Sequence, residues 1–296
     1  MNTQPAPVVT TTRLEADKLS ARFPALLVHA ERLAASVVSG VHGRRRAGPG
    51  EDFWQFRPAI DGDNWRNIDW RRSGRGDAPY IRQQEWQSAQ SVYLWIDRAA
   101  SMDYAGDKNR ESKSYLAHLF GLAVAILLGR GGERVGLIED PDPPRIGQQQ
   151  VDRITAQLAA RGPLQDYGIP ASRNFAKGSR ALFLSDFLGD WEVISSRIRQ
   201  AADQGVAGAL VMILDPTEES FPFDGRTEFR SMSGTVRFET LRAKGLREAY
   251  LGRLTERKSA LEELCRNVGW HQRLVHTDDS ALDVLTWIFH ALERRR

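Results

Sequence analysis

Three apolar runs of the chain end on an aspartate. The run at residues 91–96 is followed by Asp97, and two later runs end on Asp186 and Asp215. Carboxylate oxygens are hard ligands that suit cations such as Mg²⁺. If the three runs are parallel strands, their carboxyl ends meet at one edge of a sheet, where open α/β sheets bind their ligands. The pattern therefore predicts a binding edge that carries three carboxylates.

The segment after the first run has the spacing of a loop that binds a metal ion. Oxygens at positions i, i+2 and i+4 of a tight loop, together with an aspartate from a neighbouring strand, can surround Mg²⁺. Here the loop positions are Asp97, Ala99 and Ser101, and the neighbour is Asp186. Ala99 has no oxygen to give, so the predicted metal site of Asp97, Ser101 and Asp186 is one ligand short. The alternative is that both aspartates cap helices or bind loop amides without a metal.

Helices and apolar strands alternate after residue 90. The apolar runs are too continuous for strands with one exposed face, so they indicate a sheet that is covered on both sides. Helices are expected over residues 113–130, 191–202 and 246–267, each of them later in the chain than one of the apolar runs. Such alternation favours parallel strands joined by right-handed crossovers. The sequence therefore predicts an α/β fold, with a mostly parallel, Rossmann-type sheet flanked by helices.

The first 90 residues differ in composition from the rest of the chain. Residues 1–12 are rich in Pro, Thr and Gln, which is typical of a disordered tail. An apolar helical pattern follows, and then a segment in which Arg and Trp are interleaved. The predicted organisation is a tail at 1–12, an N-terminal helix and short-stranded Arg/Trp-rich arm at 13–90, and a main domain at 91–296. Short polar strands are expected in an insertion at about 216–246.

The positive charge of the chain lies in its N-terminal part. The formal net charge is +3, and residues 1–90 carry 13 Lys and Arg against 10 Asp and Glu, whereas residues 91–296 carry 28 of each. Arginines among aromatic residues can bind nucleic acid. They can equally pair with nearby acids while the tryptophans pack, and mixed charges make a weaker field than a basic stripe. We therefore favour a structural arm over a nucleic-acid-binding module.

The composition also indicates the compartment. The longest apolar helical run, residues 116–129, is shorter than the roughly 20 residues that cross a bilayer. The N-terminus lacks a basic start followed by an apolar signal core. A single cysteine, Cys265, allows no internal disulfide and is expected to be structural. We expect a cytoplasmic protein with no membrane span.

Common enzyme motifs do not occur in the sequence. There is no Gly-Lys-Ser/Thr phosphate loop, no Gly-x-Ser-x-Gly nucleophile elbow, and no zinc spacing such as His-Glu-x-x-His among the six histidines. The glycine cluster at residues 129–136 follows a helix and precedes a strand, the reverse of a dinucleotide-binding loop. The expectation is a protein that is not an enzyme.

Three segments resemble a known family. They are Gly43–Arg57, Gly62–Arg71 and the loop Asp97-x-x-x-Ser101-Met102, and together they are similar in order and spacing to the family called domain of unknown function 58. The resemblance covers roughly residues 30–296. It implies a fold similar to von Willebrand factor A domains and a partnership with MoxR-type AAA+ ATPases. Two features depart from many relatives: Ala99 replaces a serine, and two membrane helices are absent.

Three functions follow as hypotheses. The first is a non-catalytic protein-interaction or adaptor domain that works with a MoxR-type AAA+ ATPase and an unknown protein client, through a degenerate metal-ion-dependent adhesion site that would bind Mg²⁺ weakly. The second is a metal-dependent phosphoesterase or nuclease, in which Asp97, Asp186 and Asp215 hold the metal and the arginine arm holds phosphate. The third is a nucleic-acid-binding module without catalysis, whose binding would weaken steeply with salt.

Overall fold

A computed structural model of the 296-residue chain gives the positions of most of its residues. The structure describes residues 25–37, 53–59, 68, 70–74, 79–84, 89–160, 165–223, 227–230, 237–240 and 244–293. The predicted tail at 1–12 lies outside these residues. The chain forms two compact units, one of residues 1–40 and 90–296 and the other of residues 41–89.

The larger unit is built on a five-stranded parallel sheet. Its strands are β3 (Ser91–Ile96), β4 (Arg134–Leu137), β5 (Arg180–Ser185), β6 (Ala207–Leu214) and β9 (His271–His276). Their spatial order is β4-β3-β5-β6-β9, and every pair is parallel. Leu94 of β3 aligns with Leu182 of β5, which aligns with Ala209 of β6. The predicted α/β fold is confirmed, and the arrangement is consistent with the von Willebrand factor A type.

Helices cover both faces of this sheet. They are α1 (25–37), α3 (Lys113–Arg130), α4 (Gln148–Ala159), α5 (Trp191–Asp203), α6 (Pro216–Ser220), α7 (Lys244–Val268) and α8 (Ala281–Glu293). Alternate residues of β3 show why the strands are apolar throughout: Leu94 and Ile96 join the core under α1, α3, α4 and α8, whereas Tyr93 and Trp95 join the core under α5 and α7. Both faces are buried, as the continuous apolar runs predicted.

The helix α3 brings a polar residue to one edge of the sheet. It starts at Lys113, and the side chain of Ser112 caps it by accepting a hydrogen bond from the backbone N–H of Tyr115. Most of the helix is buried, and it ends at Arg130, as predicted, before the pair Gly131 and Gly132, where Gly132 has a φ of 76°. Because α3 follows β3 in the chain, its first turn lies near the carboxyl end of that strand.

Short antiparallel strands complete the described structure. In the larger unit, β7 (Thr227–Arg230) pairs with β8 (Arg237–Thr240), which are the short strands expected at 216–246. In the smaller unit, β1 (Phe53–Pro58) pairs with β2 (Tyr80–Gln84), and α2 (Trp70–Ser73) lies between them in sequence. Across the residues that the structure describes, no helix has the length and apolar character needed to cross a membrane.

Candidate functional site

The carboxyl ends of neighbouring strands converge on one polar edge. Asp97 follows β3, Asp186 follows β5 and Asp215 follows β6, and at most 1% of the surface of any of them is exposed. Thr277 follows β9 and donates a hydrogen bond from its hydroxyl to Asp215 Oδ2 over 2.9 Å. Because all the strands are parallel, the three predicted carboxylates lie at the same edge, together with a threonine that the sequence pattern did not identify.

Asp97 is held by donors from its own chain. The hydroxyl of Ser185 donates to its Oδ2 over 2.6 Å, and the backbone N–H of Ala99 donates to its Oδ1 over 2.9 Å. Burial, and then the negative charge of Asp186, raise the pKa of Asp97 to about 6. Gly168 lies directly against this carboxylate, since a Cβ atom at that position would be 2.1 Å from Asp97 Oδ1. Only a glycine fits there.

Asp186 is paired with a buried lysine. Lys113 Nζ lies 3.0 Å from Asp186 Oδ2 and 2.7 Å from Glu218 Oε1, and 1%, 0% and 13% of the three side chains are exposed. Burial alone would lower the pKa of Lys113, but the carboxylates of Asp186 and Glu218 outweigh it and raise the pKa above its ordinary value. The other oxygen of Asp186 accepts the backbone N–H of Leu188. Lys113 is therefore a protonated cation inside the edge.

Asp215 is saturated with hydrogen bonds. Its Oδ1 accepts the backbone N–H and the hydroxyl of Thr217, and both of its oxygens lie within 3.1 Å of Arg110 Nη1. Burial alone would raise the pKa of Asp215, but the hydrogen bonds from Thr217, Gly106 and Thr277 hold it well below its usual range. This carboxylate also caps α6, and Glu218 completes the capping box by accepting the Asp215 backbone N–H.

Ser101 lies four residues after Asp97, in a short 3₁₀ helix, Ala100–Asp103. Its side chain is buried, and its hydroxyl has no hydrogen-bond partner among the residues that the structure describes. Its backbone N–H donates to the carbonyl of Asp166 over 2.8 Å, so the loop before Gly168 lies on this turn. Ala99, the position where the sequence lacks a ligand, is also buried and contributes only its backbone N–H.

The donor set at this edge does not fit a divalent cation. Within the described parts of the chain, no three His, Cys, Asp or Glu side chains are placed to hold a metal ion together. Asp186, one of the predicted ligands, already carries the Lys113 ammonium, and Asp97 is engaged on both oxygens. A divalent ion beside Asp186 would have to approach that ammonium closely, which electrostatic repulsion opposes.

The loop after β5 is held in a strained conformation. Phe187, whose side chain is completely buried, has a φ of 53°, which is unusual for a bulky residue. Arg257 of α7 donates to the carbonyls of Phe187 and Gly189 over 2.5 and 2.8 Å and lies over the ring of Trp191. These contacts fix the backbone directly after Asp186.

Sequence reasoning missed Lys113, Glu218, Arg110 and Thr277. Two signals were available. A lysine in the first turn of an apolar helix opposes the helix dipole, which is a reason to look for a carboxylate partner. The sequence Asp215-Pro-Thr-Glu218 has the spacing of a capping box, which predicts that the two acids turn toward each other.

Comparison with known proteins identifies the family. The family described as "Protein of unknown function DUF58" matches residues 55–260, which is more than half of the chain. The chain belongs to the DUF58 family. This DUF58 protein is 27% identical over 235 residues to uncharacterized proteins of Mycobacterium bovis and of two strains of Mycobacterium tuberculosis, and the alignment covers 74% of this chain and 73% of each relative. No solved structure matches this DUF58 protein.

Proposed function

We propose that this DUF58 protein is a non-catalytic protein-interaction domain that docks a partner on the carboxyl edge of its sheet. One observation carries the proposal: both oxygens of Asp97, Asp186, Asp215 and Glu218 accept hydrogen bonds from the chain itself. A general base must be free to accept a proton from substrate, and a catalytic metal site needs carboxylate oxygens that face the ion. Because the carboxylate oxygens are already occupied, the network is better suited to holding the surrounding loops in place than to catalysis.

The loop that covers this edge presents two exposed side chains. Tyr167 is 48% exposed and Ile169 is 45% exposed, on either side of the glycine that contacts Asp97. Tyrosine and large apolar residues are typical of the centre of protein interfaces, where they supply contact area at a small cost in entropy. The buried network below holds this loop in place, since the carbonyls of Gln165 and Asp166 accept backbone hydrogen bonds from Ala100 and Ser101. Tyr167 and Ile169 are the proposed docking residues.

The proposed partner is a MoxR-type AAA+ ATPase, with a further protein as client. The support is the resemblance of the chain to its family. The exposed side chains of Tyr167 and Ile169 would provide the contact surface. Motor proteins of this class hydrolyse ATP themselves, so a partner that supplies a rigid docking surface needs no nucleotide site of its own.

The two alternatives have less support. A phosphoesterase would need Asp215 to share a metal ion with Asp97 and Asp186, but Asp215 is paired with Arg110 and bonded to Thr217 and Thr277. A nucleic-acid-binding module would use the Arg/Trp-rich arm, most of which lies outside the described residues. A steep loss of nucleic-acid binding with added salt would favour that alternative.

Binding of the purified chain to the purified ATPase, measured by biolayer interferometry, tests the proposal. We expect Ile169→Ala and Tyr167→Ala each to weaken binding by about tenfold or more, as is usual for a residue at the centre of an interface. Ile146→Ala is the matched control, because Ile146 is 49% exposed but follows Arg145, which pairs with Val135 near the amino end of β4. Equal affinities for all three variants would place the interface elsewhere, and no binding of the wild-type chain would refute the ATPase partnership.

A further inference from the structure

A buried lysine is paired with Asp186, one of the ligands of the predicted metal site. The side chain of Lys113 is 1% exposed, and its ammonium lies between Asp186 Oδ2 at 3.0 Å and Glu218 Oε1 at 2.7 Å. Burying an unpaired ammonium is costly, so the two carboxylates are needed to keep it there. Asp186 directly follows β5 and Glu218 lies in α6, so the ammonium connects the end of a strand to the helix that follows the neighbouring strand.

Other groups around this lysine are also of the kind that surrounds a cation. The ring of Tyr104 lies 5.9 Å from Lys113 Nζ, which is within the range of a cation–π contact. Asp97 is close enough to both Lys113 and Asp186 to interact with them electrostatically. Ser101 is buried, with 8% of its surface exposed, and no partner for its hydroxyl lies within the described parts of the chain.

The position of Lys113 is not explained by the helix that carries it. It is the first residue of α3, where the positive end of the helix dipole disfavours a cation. The remainder of the helix is largely apolar and packs in the core, so its first turn cannot move away from the carboxylates without disturbing that packing. The packing of α3 therefore fixes the position of the Lys113 ammonium beside Asp186.

We infer that Lys113 is a built-in cation that takes the place of a divalent metal ion at this edge, so that Asp186 and Glu218 have a positively charged partner without metal. The edge would then keep the same arrangement whether divalent ions are present or not. Replacement of the ammonium by an uncharged side chain should leave Asp186 and Glu218 as a site that accepts Mg²⁺ or Mn²⁺.

The experiment compares wild type, Lys113→Met and the control Lys108→Met, which removes an exposed lysine from the loop before α3. Methionine keeps much of the volume of lysine and removes its charge. The melting temperature of each protein is measured in EDTA and in millimolar Mg²⁺, and bound Mn²⁺ is measured by equilibrium dialysis. These readouts need no partner protein, so their result is separate from that of the ATPase-binding assay.

We expect wild type and Lys108→Met to melt at the same temperature in EDTA and in Mg²⁺ and to retain no Mn²⁺. Lys113→Met should melt lower in EDTA, recover by about 5 °C or more in saturating Mg²⁺, and retain Mn²⁺ at about one ion per chain. Folding of Lys113→Met only in the presence of Mg²⁺ would support the inference equally.

Two results would overturn it. Stoichiometric Mn²⁺ binding by the wild-type chain would show that Lys113 does not exclude a metal. Failure of Mg²⁺ to raise the melting temperature of Lys113→Met, or to restore its folding, would show that the lysine does not take the place of a divalent metal ion.

Discussion

Lys113 and Asp186 form an ion pair that is closed to solvent, with 3.0 Å between Nζ and Oδ2 and with 1% and 0% of the two side chains exposed. Glu218 is the second partner of the same ammonium. Asp186 directly follows β5 and Glu218 lies in α6, so the ammonium connects the end of β5 to this helix. The stability of this edge should therefore depend on each member of the group.

Removal of Asp186 should destabilise the protein strongly. In Asp186→Ala, the buried Lys113 would keep only Glu218 as a close partner, and breaking a buried pair in this way typically costs about 3–5 kcal/mol. Urea denaturation monitored by circular dichroism would measure the free energy of unfolding. The control is Asp203→Ala, since Asp203 is exposed at the end of α5 and its loss should change that free energy by less than about 0.5 kcal/mol. Similar values for the two variants would show that the buried pair contributes little.

Gly168 should tolerate no side chain. In Gly168→Ala the new Cβ would lie 2.1 Å from Asp97 Oδ1, so the carboxylate and its hydrogen bond from Ser185 must shift. We expect a loss of about 1–3 kcal/mol in the free energy of unfolding. Gly252→Ala is the comparison, because no atom lies within 4 Å of a Cβ there and alanine should stabilise α7 by about 0.5–1 kcal/mol. Opposite signs for the two variants are the expected result, and a neutral Gly168→Ala would contradict the close contact.

His118 should make the protein less stable in acid. Burial, followed by the positive charge of Arg98, lowers the pKa of His118 from 6.5 to about 4. Between these values the unfolded chain binds a proton that the folded chain does not, so the free energy of unfolding falls as the pH drops through this window. Below pH 4, this effect of His118 has lowered the free energy of unfolding by about 3 kcal/mol.

Urea titrations at several pH values would measure the effect of His118. The variant His118→Leu should show a shallower dependence of the free energy of unfolding on pH between about 6.5 and 4. The control is Leu282→Ala on α8, which replaces a 40% exposed side chain that does not titrate and should keep the wild-type slope. An unchanged slope in His118→Leu would show that this histidine is not held neutral in the folded protein.

Cys265 should react slowly in the folded protein. It lies on the core face of α7 with 3% of its surface exposed, and burial raises the pKa of its thiol to about 12. The thiolate is the reactive species, so very little is present at pH 8. We expect a thiol-specific dye to label less than one tenth of the native protein in the time that labels all of it in guanidinium chloride. Rapid labelling of the native chain would mean that α7 opens readily.

The nature of the elements followed from the local pattern of side chains. The run from Ser91 to Ile96 is apolar at every position after the first, and the structure shows that its residues alternate between two buried faces. The bounds of α3, at 113–130, and the short strands at 227–230 and 237–240 followed from the local pattern in the same way. Such features depend on neighbours in sequence, and periodicity therefore predicts them.

The residues of the candidate site could be predicted from the sequence only in part. The convergence of Asp97, Asp186 and Asp215 could be predicted, because parallel strands place their carboxyl ends at one edge. The hydrogen-bond and ion-pair partners of these carboxylates could not be predicted from the sequence. Lys113 precedes Asp186 by 73 residues and Thr277 follows Asp215 by 62, and no periodicity links positions so far apart.

The sequence by itself determined the parallel α/β fold and the row of aspartates at the strand ends, because the side-chain pattern of each element is local. Only the tertiary structure decided what balances those charges. The start of α3 brings Lys113 to Asp186 and Glu218, and the loop at Gly168 packs on Asp97. These contacts depend on how helices and loops pack over the sheet, and that packing is set by the whole core.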